Sequence, residues 1–152
     1  SPNVWLTRAG LLSEKAGGEW KACFYAGGNT SFLYLRKSKD KKTLKRIRQL
    51  ITNLPEEERQ LFRIEEKEEL TEKGADPAAV LALEPKVGVS VTNNRTGSVI
   101  GQRKGGTHGF LSGQDATTLV AYGKGITASR KSTIDQTAIA PWILEMLGLS
   151  SK

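Results

Sequence analysis

The stretch of this chain best equipped for chemistry is Lys104-Gly105-Gly106-Thr107-His108-Gly109. His108 is the only histidine. Glycines on both sides let the backbone approach a ligand or metal closely. A neutral imidazole is the commonest protein ligand for zinc. Two readings are open at this point: a loop histidine that hydrogen-bonds its neighbours, or one arm of a metal site. The chain has no second histidine, no Asp-x-x-x-His and no Asp-His-Gly, and a single imidazole does not hold zinc tightly against water. Thr107 reads as a residue that shapes the turn. Arg103 and Lys104 flank the loop, either as solvated charge or as an electrostatic attraction for an anion.

The loop carrying these residues runs from Gly101 to Gly113 and contains Gly101, Gly105, Gly106, Gly109 and Gly113 with few large apolar residues. Loops of this length in compact proteins are often functional. Something must hold it in place. Trp20 to Ala26 and Ser31 to Leu35 read as two strands joined through Gly27-Gly28-Asn29-Thr30 in a hairpin. Asp40 is an N-cap for a helix to about Asn53, in which Leu44, Ile47, Leu50, Ile51 and Leu54 form one apolar stripe. Leu54-Pro55 ends it. Leu61 to Ile64 is a short strand, and Glu66 to Lys73 a helical turn or two closed by Gly74. Ala78 to Glu84 and Val87 to Val91 read as two further strands around Pro85-Lys86, the second on β-branched residues alternating with period two. Asn93 to Gly97 is a turn. Residues 20–92 are therefore expected to form an α+β layer, a sheet with one main amphipathic helix.

Before this layer, Asn3 to Leu12 reads as a short helix ending near Gly10. After it, Leu119 to Gly123 reads as a short apolar strand. A C-terminal helix spans Ile139 to Leu147, with Pro141 in its first turn and Gly148 closing it. Cys23, the only cysteine, forms neither an internal disulfide nor a thiolate zinc site and is expected as a small core residue. Trp5, Trp20 and Trp142 read as core or rim packing.

The formal charge is +7, which points to anionic partners, but its distribution weakens that hint. A basic block from Arg36 to Arg48 is followed by an acidic one from Glu56 to Glu72. Adjacent blocks of opposite sign usually form solvated helix faces. Aromatic residues are not interleaved with the basic block, so a nucleic-acid partner is not expected. No apolar run approaches the roughly 20 residues of a membrane helix. No leader opens the chain; Ser1-Pro2-Asn3 looks like a cut end, and a precursor could carry a signal peptide upstream.

Gly105-Gly106-Thr107-His108-Gly109-Phe110, then Leu119-Val120-Ala121-Tyr122-Gly123-Lys124-Gly125-Ile126, then Asp135-Gln136-Thr137-Ala138-Ile139-Ala140-Pro141-Trp142 and Leu147-Gly148-Leu149 together resemble the C-terminal end of the type I phosphodiesterase and nucleotide pyrophosphatase family, in the alkaline-phosphatase superfamily. The resemblance is specific over residues 101–149. It is weaker over residues 1–100, of which 20–92 match a variable inserted region.

The resemblance implies an α/β chain: an alkaline-phosphatase-like C-terminal portion with an inserted α+β layer, a mixed sheet plus an amphipathic helix. Residues 1–19 would continue from an upstream core, 20–92 would be the insert, and 93–152 would return to the core with the metal loop, strand and helix. It implies a two-zinc hydrolase of phosphate mono- or diesters, nucleotides or pyrophosphates working through a Thr or Ser phospho-enzyme. His108 matches the last histidine ligand of one metal. The nucleophile and the other ligands would lie in the upstream part of the same polypeptide, so no catalytic residue falls in this chain. A periplasmic or secreted location is implied as well. Two competing readings remain: a standalone basic module that contacts a polyanion, and a structural domain that docks onto a partner.

Overall fold

A computed structural model describes residues 1–111, 118–127 and 133–149. It divides into two compact units, Ser1–Ala116 and Thr117–Lys152.

The first unit is built on a four-stranded sheet of β1 (Ala22–Tyr25), β2 (Ser31–Leu35), β3 (Phe62–Glu66) and β4 (Leu81–Pro85), in the order β1-β2-β4-β3. The chain is mixed α and β, as expected. The sheet is not mixed: all three pairings are antiparallel. Its topology gives the reason. β2 and β3 both run antiparallel to β4, so they point the same way and would form a parallel pair if adjacent. β4 inserts between them instead.

Helices α1 (Pro2–Arg8), α2 (Lys41–Thr52), α3 (Glu56–Arg59) and α4 (Lys67–Glu72) complete the unit. α2 starts as the sequence requires, with the Asp40 carboxylate accepting from the Thr43 amide at 2.9 Å and its hydroxyl at 2.7 Å. Ile47 and Ile51 from its apolar stripe are buried. They pack with Leu6 of α1 and with Phe24, Leu33, Leu81 and Leu83 of the sheet in one core. Residues 1–19 thus share the core of the sheet. α1 ends at Gly10 (φ 66), where the amides of Gly10 and Leu11 bond back to Thr7 and Leu6 at 2.9 and 2.8 Å. This is the glycine-closed helix end in which two orphan carbonyls are satisfied, and Gly74 closes α4 in the same way. The opposite sheet face carries a smaller cluster of Leu70, Ala79 and Ala82, with Phe32, Tyr34 and Leu111 against it.

Asparagine side chains take over where the ladder stops. The outer edge of β1 is occupied by the Asn3 amide, which accepts from Phe24 N at 2.7 Å and donates to Phe24 O at 2.8 Å. Two residues on, Asn93 makes the same pair of bonds with Ala26, both at 2.9 Å. An edge strand whose polar groups are filled in this way offers no template to another chain.

Two sequence expectations are corrected. Val87 to Val91 is not a strand: Val89 turns back to Lys86, and Asn29 donates to Val89 O and accepts from Val91 N, both at 2.9 Å. The backbone groups that a ladder would use are therefore engaged by a side chain. Leu119 to Gly123 is not a strand either, and Val120 and Tyr122 are 81% and 99% exposed. A strand exists through pairing, and the described residues of the second unit contain no other strand to pair with. Cys23 packs against the core but is half-buried rather than fully enclosed, and burial raises its thiol pKa. Trp5 is buried in the core, and Trp20 and Trp142 are half-buried.

In the second unit a 3-10 turn, Gln136–Ala138, is capped by Asp135, whose carboxylate accepts from the Thr137 amide at 2.8 Å. It leads into α5 (Ile139–Met146), closed at Gly148, as expected. No helix among the described residues is long and apolar enough to cross a membrane.

Candidate functional site

Residues 101–111 form an extended loop without regular secondary structure, as the glycine content predicts; Ser112 and Gly113 lie outside the described residues. His108 is exposed on this loop. The residue after it is fastened to the hairpin. The Gly109 carbonyl accepts from the Asn29 amide at 3.1 Å and the Thr30 amide at 2.9 Å, and the Thr30 hydroxyl lies 3.1 Å away. Gly109 adopts φ 78, a conformation that disfavours any side chain.

A second fastening lies two residues further on. The Glu84 carboxylate, 2% exposed at the end of β4, accepts from the Leu111 amide at 2.9 Å and from the Thr30 hydroxyl. Burying a carboxylate is costly unless its oxygens are hydrogen-bonded. The loop backbone supplies one of the donors. Strand and loop thus satisfy each other, and the loop after His108 is held against the sheet while the imidazole is left in solvent.

The same arrangement builds a cavity of about 350 Å³ beside the loop, walled by Tyr25, Phe32, Tyr34, Phe110 and Leu111. The Tyr34 hydroxyl donates to Asp76 at 3.1 Å, and burial together with this carboxylate pushes its pKa up to about 12.

Of the residues read from the sequence, His108 and Thr107 stand on the exposed part of the loop. Arg103 and Lys104 are exposed too, and neither forms an ion pair among the described residues. The basic residues of α2 are largely solvated; Arg48 is engaged by Glu66 in two bonds of 2.6 and 2.5 Å, and Arg46 bonds to Ala9 O. Sequence reasoning missed Asn29, Thr30 and Glu84, which hold the site loop. One signal was present: Glu84 ends the apolar run Val80-Leu81-Ala82-Leu83, and an acid in such a strand requires a polar partner.

Zinc asks for three or four donors. No group of three or more His, Cys, Asp or Glu side chains suited to a metal occurs among the described residues. Among the described residues the chain offers such a centre one exposed imidazole, that of His108. Comparison with protein-family models, with curated proteins and with solved structures finds no match to this chain.

Proposed function

We propose that this chain is the C-terminal part of a zinc-dependent phosphohydrolase of the alkaline-phosphatase superfamily, acting on phosphate mono- or diesters, nucleotides or pyrophosphates, and that His108 is its one contribution to the metal site. The other ligands and the Thr or Ser nucleophile belong to the upstream part of the polypeptide, and the whole works in the periplasm or outside the cell. The observation that carries this reading is the contrast within a few residues of loop. Gly109 and Leu111 are tied to Thr30 and Glu84, while the His108 imidazole is solvent-exposed. A histidine that merely stabilised its loop would spend its ring nitrogens on neighbours. A ligand arm needs a fixed backbone and an available ring, because coordination geometry tolerates little looseness.

The test compares p-nitrophenyl phosphate ester hydrolysis, with added zinc, by this chain and by the polypeptide extended upstream. Turnover is expected only from the extended protein, with loss of at least about 100-fold in His108→Ala, in line with removal of a metal-site group. Robust zinc-dependent turnover by the isolated chain would overturn the reading, as would an upstream sequence lacking Asp and His partners.

A further inference from the structure

Strand register places Tyr25 opposite Phe32 and Cys23 opposite Tyr34. Residues paired across antiparallel strands project from one face, and their sequence neighbours Phe24, Leu33 and Leu35 project into the core. Tyr25, Phe32 and Tyr34 therefore form an aromatic wall on the sheet face turned away from that core. Gly109, Phe110 and Leu111 stand along it, and Gly27 and Gly28 leave part of the lining without side chains. Among the described residues, no charged side chain lines this space. Its volume of about 350 Å³ lies at the low end of the range of roughly 300–1,000 Å³ for small-ligand pockets.

We propose that this cavity binds the planar aromatic ring of the substrate ester, a nucleobase or a simple aryl group. Aromatic walls favour a flat ring in offset or edge-to-face contact, and a surface bare of side chains at two adjacent glycines admits a flat face. The wall begins at the residue after His108, so ring and metal arm are coupled through one fixed loop. Assigning the ring to an ester rests on the zinc-hydrolase reading; ring binding itself does not.

The test uses the metal-free 152-residue chain, titrated separately with adenosine, p-nitrophenol and, as a ring-free control, ribose 5-phosphate, with amide resonances followed by NMR. Saturable shifts at Gly28, Gly109 and Phe110 are expected with a ring compound, and binding should weaken about five-fold in Tyr25→Ala, the scale of one lost ring contact. Tyr25 is 57% exposed, so this variant keeps the fold. Gly27→Leu should abolish binding by filling the space, since a Cβ there meets only the Tyr25 ring, at 3.6 Å. Adenosine binding alone identifies a nucleobase site, and p-nitrophenol binding alone a simple aryl site. The proposal falls if neither ring compound shifts these amides, if ribose 5-phosphate shifts them equally, or if Gly27→Leu binds like the parent. Zinc is left out, so failure here and failure of the His108 reading are separate results.

Discussion

Gly28 and Gly109 approach so closely that a Cβ built on Gly28 would lie 2.8 Å from the Gly109 Cα and 2.8 Å from the His108 carbonyl oxygen. Backbone meets backbone here, so no flexible side chain can move aside. Gly28→Ala is expected to push the loop off the hairpin and to cost about 1–3 kcal/mol, the scale of overpacking at a tight contact. Urea unfolding gives the stability change, and amide exchange at Phe110 and Leu111 should accelerate. A variant with parental stability and exchange would show that the loop is not pinned by this contact.

Glu84 and Thr30 form the second fastening. Thr30→Val keeps the side-chain shape and removes the hydroxyl that donates to the buried carboxylate. Loss of one partner from a buried acceptor is expected to destabilise by about 1–3 kcal/mol. Thr30→Ser retains the donor and should recover most of that loss. Equal destabilisation by both variants would assign the effect to packing of the Thr30 methyl instead.

At the sheet edge, Asn3 and Asn93 act as short surrogate strands against Phe24 and Ala26. Asn3 is 3% exposed, and Asn3→Ala leaves the Phe24 amide and carbonyl without partners in a buried setting. The expected cost is about 2–4 kcal/mol for two lost bonds. Asn93→Ala acts at an exposed position, where water replaces the bonds, and should cost less than about 1 kcal/mol. Thermal unfolding of the two variants checks the order; the reverse order would refute the burial argument.

What could be read from the sequence divides along the same line. Asp40 and the Ile47/Ile51 stripe define α2 because cap and stripe are local. The β1–β2 hairpin follows from Gly27-Gly28-Asn29-Thr30, and the helix ends at Gly10, Gly74 and Gly148 are each set within a few residues. The site loop was legible as a loop with one histidine. Its fastening was not, since Thr30 meets Glu84 and Gly109 across separations of 54 and 79 residues. Val87 to Val91 misled for a related reason: its alternation suits a strand, but the side chain of Asn29, about 60 residues earlier, takes the bonds. Local patterns reveal what a segment is able to form, and long-range polar partners decide whether it does.

Stability should fall on the acid side through Glu66. Its hydrogen bonds from Arg48 hold its pKa below the ordinary 4.5. A carboxyl with a lowered folded-state pKa adds stability above its unfolded value, and that stability is lost as pH falls through the folded value. Both side chains are about 40% exposed, so the pair is worth no more than about 1 kcal/mol. Arg48→Met should remove this part of the acid dependence while leaving stability near neutral pH lower by at most that amount. Urea midpoints measured across the acid range would decide, and an unchanged acid slope in the variant would show that the pair contributes nothing.

The alkaline side tests the aromatic wall. Tyr34 keeps its proton to about pH 12, because burial and the bond to the Asp76 carboxylate both disfavour the phenolate. The folded-state pKa is raised above the unfolded value of 10.0. The contribution is thus fully present below pH 10 and is lost as pH rises through the folded value. Phenolate absorbance of the folded chain should show one tyrosine titrating well after ordinary tyrosines. Tyr34→Phe should abolish that late step, and Asp76→Asn should shift it downward by removing the carboxylate's charge while burial still holds it above 10. A late step that survives in Tyr34→Phe would place the shielded phenol elsewhere, and with it the wall of the cavity beside His108.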